Sequence, residues 1–397
     1  MHIFLKGSHL LGSTLLIAGT CIGVGMLALP VVTSNAGFLG SLPAFITIWL
    51  FMLCTSRLIV EACLWCPNNS NLITISQTLL GNKGAACCWI LYLFLFYSLM
   101  VAHTAVGGEA IAGLHTSVWP KWLSSLVYVL LFAPAVFLGT RWVDRLNILM
   151  MTGVFVTFLL FVFNGFSYIQ FDLLQRANFS GTLKAFPVLL TTFGFQNIIP
   201  TLVNYTNRND KIILKAIWIG SSIPLVIYLI WQALIHGIVP YEGLQQAMVE
   251  GHNAIVPLEQ VLNTGSLSAI GQAFAFFAMT ASFICLAIAF FDFWADGLKW
   301  QKKGTKKLGL MGLVFGIPFI VSVINPKIFF SALNLAGGIG VALLLGIMPI
   351  CFVWSGRYIQ KRSKAHRELP GGKVTLGLMF AFCAFVLVLT CQQTFFK

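Results

Sequence analysis

Apolar runs long enough to cross a bilayer must keep their backbone hydrogen bonded, because hydrocarbon offers no partner. Two of the runs in this chain cannot do so unaided. Gly19-Thr20-Cys21-Ile22-Gly23-Val24-Gly25-Met26-Leu27-Ala28-Leu29-Pro30 interrupts the first, and Phe193-Gly194-Phe195-Gln196-Asn197-Ile198-Ile199-Pro200 interrupts one near the middle of the chain. A helix that opens at membrane depth offers its freed N–H and C=O groups to a ligand, an ion or water. Two openings at matching places in the two halves predict a transporter built from inverted repeats, with its site between them.

Hydrophobic residues make up 58% of the 397 residues and charged ones 9%, and the mean hydropathy of +0.89 excludes a soluble core wrapped in polar surface. A 19-residue hydropathy reading predicts about eleven spans, from Leu11–Thr33 to Val374–Leu389. Their helical length excludes a barrel and predicts an all-α polytopic membrane protein. With breaks in spans 1 and 6, the simplest parse is a single transmembrane domain. It has a five-span repeat (1–170), a second, inverted one (171–355), and a basic loop with one extra helix (356–397). A net charge of +13 would suit a nucleic acid, but its placement does not. Of 24 Lys and Arg residues, Lys121, Arg176, Lys184, Lys327 and Lys397 fall on one side and the other 19 on the opposite side. The positive-inside rule then predicts a cytoplasmic N-terminus and an external C-terminus, with the bilayer rather than a polyanion as partner. Some basic clusters are placed to touch anionic lipid. Met1 to Leu10 reads as the lead into an uncleaved helix. Cys63 and Cys66 read as apolar filler, and no metal or cofactor site is expected.

Gly19, Gly23 and Gly25 weaken the first helix and permit close approach. An outer half starting near Gly23 to Gly25 aims its positive dipole end at the midplane, where a carboxylate fits. An inner half ending near Ala18 and Gly19, just before Thr20 and Cys21, leaves carbonyls for an ammonium group or a cation. A zwitterionic amino acid satisfies both ends. In span 6 the first half is expected to end near Thr192 and to restart near Asn197, with Pro200 in an early turn. Phe193 and Phe195 flank Gly194 with two aromatic faces, and Gln196 and Asn197 offer amides to a polar tip such as a phenol. Close helix packing explains either break alone as well as binding does. The matched positions favour binding.

Glu109 reads as the one acidic residue well inside an apolar run, placed to take up a proton from outside, with an interfacial position as the competing account. His103 and His236 are further proton candidates. Asp292 and Asp296, at the cytoplasmic end of span 8, suit an inner gate with Lys299 or an Arg of a neighbouring loop, against simple helix-end solvation. Arg57 and Glu61 read as an i,i+4 pair. Gly237 to Ser266, with Glu242, Glu250, His252 and Glu259, is expected to form an external cover. Asn71 to Gly84 is expected to form an interfacial helix.

At these residues the chain resembles the hydroxy/aromatic amino acid permeases, bacterial tyrosine and tryptophan carriers of the amino acid/polyamine/organocation superfamily, the tyrosine-specific members most of all. The stretch Gly19 to Pro30 matches that family's first-span motif, and Phe193-Gly194-Phe195 with Pro200 and Tyr205 matches its sixth. Phe291-Asp292-Phe293 with Ala295-Asp296-Gly297 resembles its span-eight ending. The resemblance implies a leucine-transporter-type fold and proton symport of an aromatic amino acid, tyrosine above all, across the bacterial inner membrane. It places the substrate's carboxylate and amine at Gly19 to Gly25 and its ring near Phe193 to Gln196. Some relatives carry His where this chain has Gln196, and some a span-five lysine that is absent here, which shifts proton coupling toward Glu109 and His103. The nearest rival is Na⁺ coupling, with Thr280, Ser282 and carbonyls near Cys21 as ligands. A tryptophan or broad aromatic permease is the alternative in substrate. An enzyme is not expected: the chain lacks a zinc-binding His-Glu motif, a nucleophile elbow and a Walker loop. Nothing in the sequence calls for an obligatory protein partner.

Overall fold

The computed structural model describes residues 9–113, 120–262, 265–363 and 368–395; residues 1–8 of the leading segment, with Lys6, and the charges Lys364, Arg367 and Lys397 lie outside them. Among the described residues every regular element is helical. Nine helices among the described residues are long and apolar enough to cross a membrane, and His9–Cys21 with Val24–Val32, bent by 54°, forms a tenth crossing. The apolar helix Trp122–Leu138 is shorter than these, at the lower limit of about 17 residues for a crossing, and is numbered as a span below to keep the expected order. Span 1 is the bent pair, span 2 Gly37–Trp65, span 3 the later part of Leu72–Gly113, span 4 Lys121–Leu138, span 5 Thr140–Tyr168 and span 6 Phe179–Tyr205. Spans 7 to 11 are Asp210–Ile238, Ser266–Gly297, Gly304–Ile324, Phe329–Ile359 and Gly372–Phe395. The end of the bundle that carries most of the basic loops is called the inner end below.

Span 5 packs along span 8, and span 10 along span 3; span 1 packs on span 7, and span 6 on span 2. Exchanging 1 with 6, 2 with 7, 3 with 8 and 5 with 10 turns each pair into the other, as a two-fold relation between five-span halves requires.

The expected interfacial helix is present. Gly81, at φ +75°, interrupts helical geometry between it and span 3, a conformation glycine adopts without a side-chain penalty. The kink leaves helix-end carbonyls to be answered from elsewhere. Ser355 Oγ donates to Leu79 O at 2.6 Å, and Gln360 Nε2 donates to Leu79 O at 3.1 Å. The end of span 2 is treated similarly. Arg208 donates to Cys63 O, Leu64 O and Cys66 O at 3.1, 2.7 and 3.1 Å, beside two free, buried thiols.

The Arg57–Glu61 pairing is overturned. Glu61 is fully buried, and Arg357 of span 10 grips it with Nε and Nη2 at 2.6 and 2.5 Å. A carboxylate without water needs a bidentate partner, and the guanidinium fork supplies one. Glu61, rather than Glu109, is therefore the deeply buried acid of the chain.

Candidate functional site

Both predicted breaks are open. In span 1 the inner half runs on to Cys21, two residues past the expected end, then Ile22 and Gly23 leave the helix and a new one starts at Val24. In span 6 Phe186–Thr192 ends, Phe193 to Phe195 unwind, and a single turn at Gln196–Ile198 leads into Ile199–Tyr205, with Pro200 in its first turn.

The breaks lie side by side, joined by a residue the sequence reading missed. The hydroxyl of Tyr228, in span 7, lies 2.6 Å from Cys21 O and 2.9 Å from Thr192 O. These are the last residues of the two half-helices whose carbonyl ends meet at the centre. One O–H serves two orphan carbonyls, so acceptor capacity is left over there. Phe193 lies edge-on to the Tyr228 ring at 5.2 Å. The glycine spacing now has a packing cause. A Cβ on Gly23 would come within 2.8 Å of Ser282 Cβ, and one on Gly25 within 2.5 Å of Thr192 Cγ2.

Span 7 answers more of the irregularity. Pro30 has no N–H to give Met26 O its helical bond, and Trp231 Nε1 supplies one at 3.1 Å. His236 Nε2 lies 3.0 Å from Pro30 O, and Gln232 reaches Thr33. Tyr228, Trp231, Gln232 and His236 share one helix face, a polar stripe in an apolar run that was a usable signal.

The outer half of span 1, Val24–Val32, is wholly buried. The expected cover stands over it as the helices Tyr241–Glu250 and Ile255–Leu262, and Ala254 N donates to Leu27 O at 3.1 Å. On the inner side of the breaks Thr20 and Asn197 are exposed, Gly19 is half-buried, and a Cβ on Gly19 would meet Met151 of span 5 at 3.9 Å. The site is thus closed toward the outer end.

His103 sits beside the first break. Its Nδ1 lies 2.8 Å from Leu99 O; a carbonyl only accepts, so Nδ1 carries the hydrogen. Its Nε2 lies 2.9 Å from Ser282 Oγ, which accepts from Val24 N–H at 3.4 Å. Imidazole, hydroxyl and the first amide of the outer half-helix form one chain. Thr280, two residues from Ser282, is buried, and its hydroxyl has no hydrogen-bond partner among the described residues.

Other expectations fall elsewhere. Phe193 and Phe195 are fully buried at the break. Gln196 is buried too; its Nε2 donates to Met52 O and Thr55 Oγ1, both at 3.1 Å, and pins the unwound segment to span 2, while its Oε1 has no hydrogen-bond partner among the described residues. Glu109 is interfacial: it pairs with His252 of the outer cover, accepts from Asn253 Nδ2 at 3.2 Å, and lines an outer cavity of about 140 Å³. Nearby, burial pushes the Glu259 carboxyl above its usual range; a hydrogen bond with Gln272 pulls it partly back and the Glu109 charge raises it further. Asp292 bonds Lys302 at 2.7 Å within its own hairpin, and Asp296 is exposed. A pair inside one hairpin joins no two spans across the pathway in this conformation, which is closed at the outer end. Among the described residues no group of three His, Cys, Asp or Glu could hold a metal.

The model of the tryptophan/tyrosine permease family matches residues 6–390. The tryptophan-specific transport protein of Pseudomonas aeruginosa is 30% identical over 88% of this chain and 86% of its own length. That of Haemophilus influenzae is 29% identical over 95% and 94%. The tyrosine-specific transport system 1 of Haemophilus influenzae is 29% identical over 92% of each. Among solved structures, MhsT in complex with L-phenylalanine shares the fold with a TM-score of 0.64 at 14% identity, covering 97% of this chain and 98% of that one.

Proposed function

The chain belongs to the tryptophan/tyrosine permease family, and on that premise we propose that it is a secondary active transporter importing an aromatic amino acid, tyrosine first among the candidates, by proton symport with alternating access. The substrate carboxylate docks at the amide end of Val24–Val32. The ammonium group uses the spare acceptor capacity at Cys21 O and Thr192 O, and the ring lies along Phe193 and Phe195. The inner end faces the cytoplasm of a bacterial cell, as its basic loops require.

The observation that carries this reading is the chain from His103 through Ser282 to Val24 N–H. With Nδ1 donating to Leu99 O, neutral His103 accepts from the Ser282 hydroxyl. Protonation makes Nε2 a donor, and the hydroxyl turns to Ala278 O or Met279 O, each 3.1 Å away. The positive charge then lies within about 6 Å of the Val24 amide, and a carboxylate held by the helix-start amides lies roughly 6 to 9 Å from it, an attraction of about 2 to 3 kcal/mol at an effective dielectric of about 20. That is roughly 30- to 100-fold in affinity, and by linkage the bound substrate holds the proton as tightly in return. Glu109 and His252 receive protons at the outer mouth, about 9 Å further along span 3.

The test is labelled tyrosine uptake into proteoliposomes under an inward proton gradient without Na⁺, with excess unlabelled tryptophan, phenylalanine or leucine. Transient accumulation that a protonophore abolishes and aromatic competitors block is expected. His103→Gln should keep tyrosine exchange and lose accumulation. A requirement for Na⁺, or full accumulation by His103→Gln, overturns the coupling reading.

A further inference from the structure

We propose that the groove between the interfacial helix and spans 10 and 11, at the inner end, binds an anionic phospholipid. The groove is about 900 Å³, against about 140 Å³ at Glu109. Its mouth is polar, with Gln77, Thr78 and Gln360; deeper, its walls are Cys351 and Trp354 of span 10 and Phe380 of span 11. No residue lining it is charged, so its charge comes from the residues around it. A polar mouth opening into an apolar trough between spans 10 and 11 has the profile of a headgroup followed by an acyl chain.

The charge around the mouth decides which headgroup. Lys373 leans over the groove wall, its Nζ 5.8 Å from the ring centre of Trp354 and 5.2 Å from that of Tyr358. Arg362 Nε donates to Gln360 Oε1 at 3.0 Å, holding its guanidinium at the mouth. Lys361 follows Gln360 directly, and Lys83 lies two residues beyond Gly81. Inside a bilayer the acyl chain gains nothing from leaving water, so selectivity has to come from packing and from the headgroup. Cations at an anionic interface contribute roughly a five-fold factor each. Positions 81 and 377 are glycines whose Cβ would meet nothing within 4 Å. At both, space is left where any side chain would intrude on an occupant.

The experiment is native mass spectrometry of the full chain, delipidated in mild detergent and given equal phosphatidylglycerol and phosphatidylcholine, with melting curves in parallel. A phosphatidylglycerol adduct in several-fold excess is expected, with a raised melting temperature that neither phosphatidylcholine nor inorganic phosphate reproduces. Lys373→Gln should cut the preference about five-fold. Gly377→Leu, which adds a good helix former and fills the trough, should remove the adduct while the protein stays monodisperse. Equal adducts of the two lipids, an adduct untouched by Gly377→Leu, the same thermal shift from inorganic phosphate, or a dimer that excludes lipid would each overturn the proposal.

Discussion

Gly25→Ala is the sharpest test of how the two breaks are held together. The new methyl would lie 2.5 Å from Thr192 Cγ2, with the next atom, Thr192 Cβ, at 3.5 Å. Ordinary carbon contacts begin near 3.5 Å, so the overlap is about 1 Å and falls on a single methyl group. Gly25 lies inside Val24–Val32 and has no positive φ, so alanine brings no backbone strain and a small gain in helix propensity. The cost is therefore one of overpacking, about 1 to 3 kcal/mol. Relieving it by separating the half-helices displaces the substrate groups by an amount that can reduce transport about 100-fold. Thr192→Ser removes the offending methyl and keeps the hydroxyl that donates to Leu189 O at 2.8 Å. The double variant should regain most of the uptake and melting temperature lost by Gly25→Ala, while Thr192→Ser alone changes little. Uptake and melting curves of the wild type, both single variants and the double variant complete the cycle. Wild-type behaviour of Gly25→Ala, or no rescue by Thr192→Ser, would refute the contact.

Two further outcomes are expected. Tyr228→Phe keeps the ring contact with Phe193 but leaves Cys21 O and Thr192 O without their donor; a loss of about 1 to 3 kcal/mol in stability and a larger fall in uptake than in expression are expected, and unchanged melting curves would show that the hydroxyl is not needed there. Arg357→Met strands the buried Glu61 carboxylate at a cost of about 3 to 5 kcal/mol, whereas Glu61→Leu with Arg357→Met should recover most of it, short of the bonds to Glu368 N and Leu369 O; a double variant no more stable than Arg357→Met would contradict the pairing.

What the sequence made legible was local: where the chain cannot remain a regular helix, and where it is apolar for long enough to span. The breaks followed from Gly23, Gly25, Gly194 and Pro200, and the interfacial helix from its position before Gly81. The misreadings share one cause, a partner far along the chain. Arg57 was the acceptable i,i+4 neighbour of Glu61, but Arg357 competes for the same carboxylate with a better geometry. Gln196 was a free amide on paper, and span 2 takes its Nε2 while leaving Oε1 unpaired. Glu109 looked isolated until the outer cover brought His252 against it.

The same distinction bears on what the first break binds. Span 7 places Tyr228, Trp231 and His236 against Cys21 O, Met26 O and Pro30 O, so the carbonyls that span 1 exposes are largely answered from within the protein. The amide end of Val24–Val32 has no side-chain cap on its preceding residue, and Ser282 meets Val24 N–H at a long 3.4 Å. Donors weakly matched at the start of Val24–Val32 suit a carboxylate. The Tyr228 hydroxyl is one donor for two carbonyls, Cys21 O and Thr192 O, and so leaves room there for an ammonium group, the other end of an amino acid.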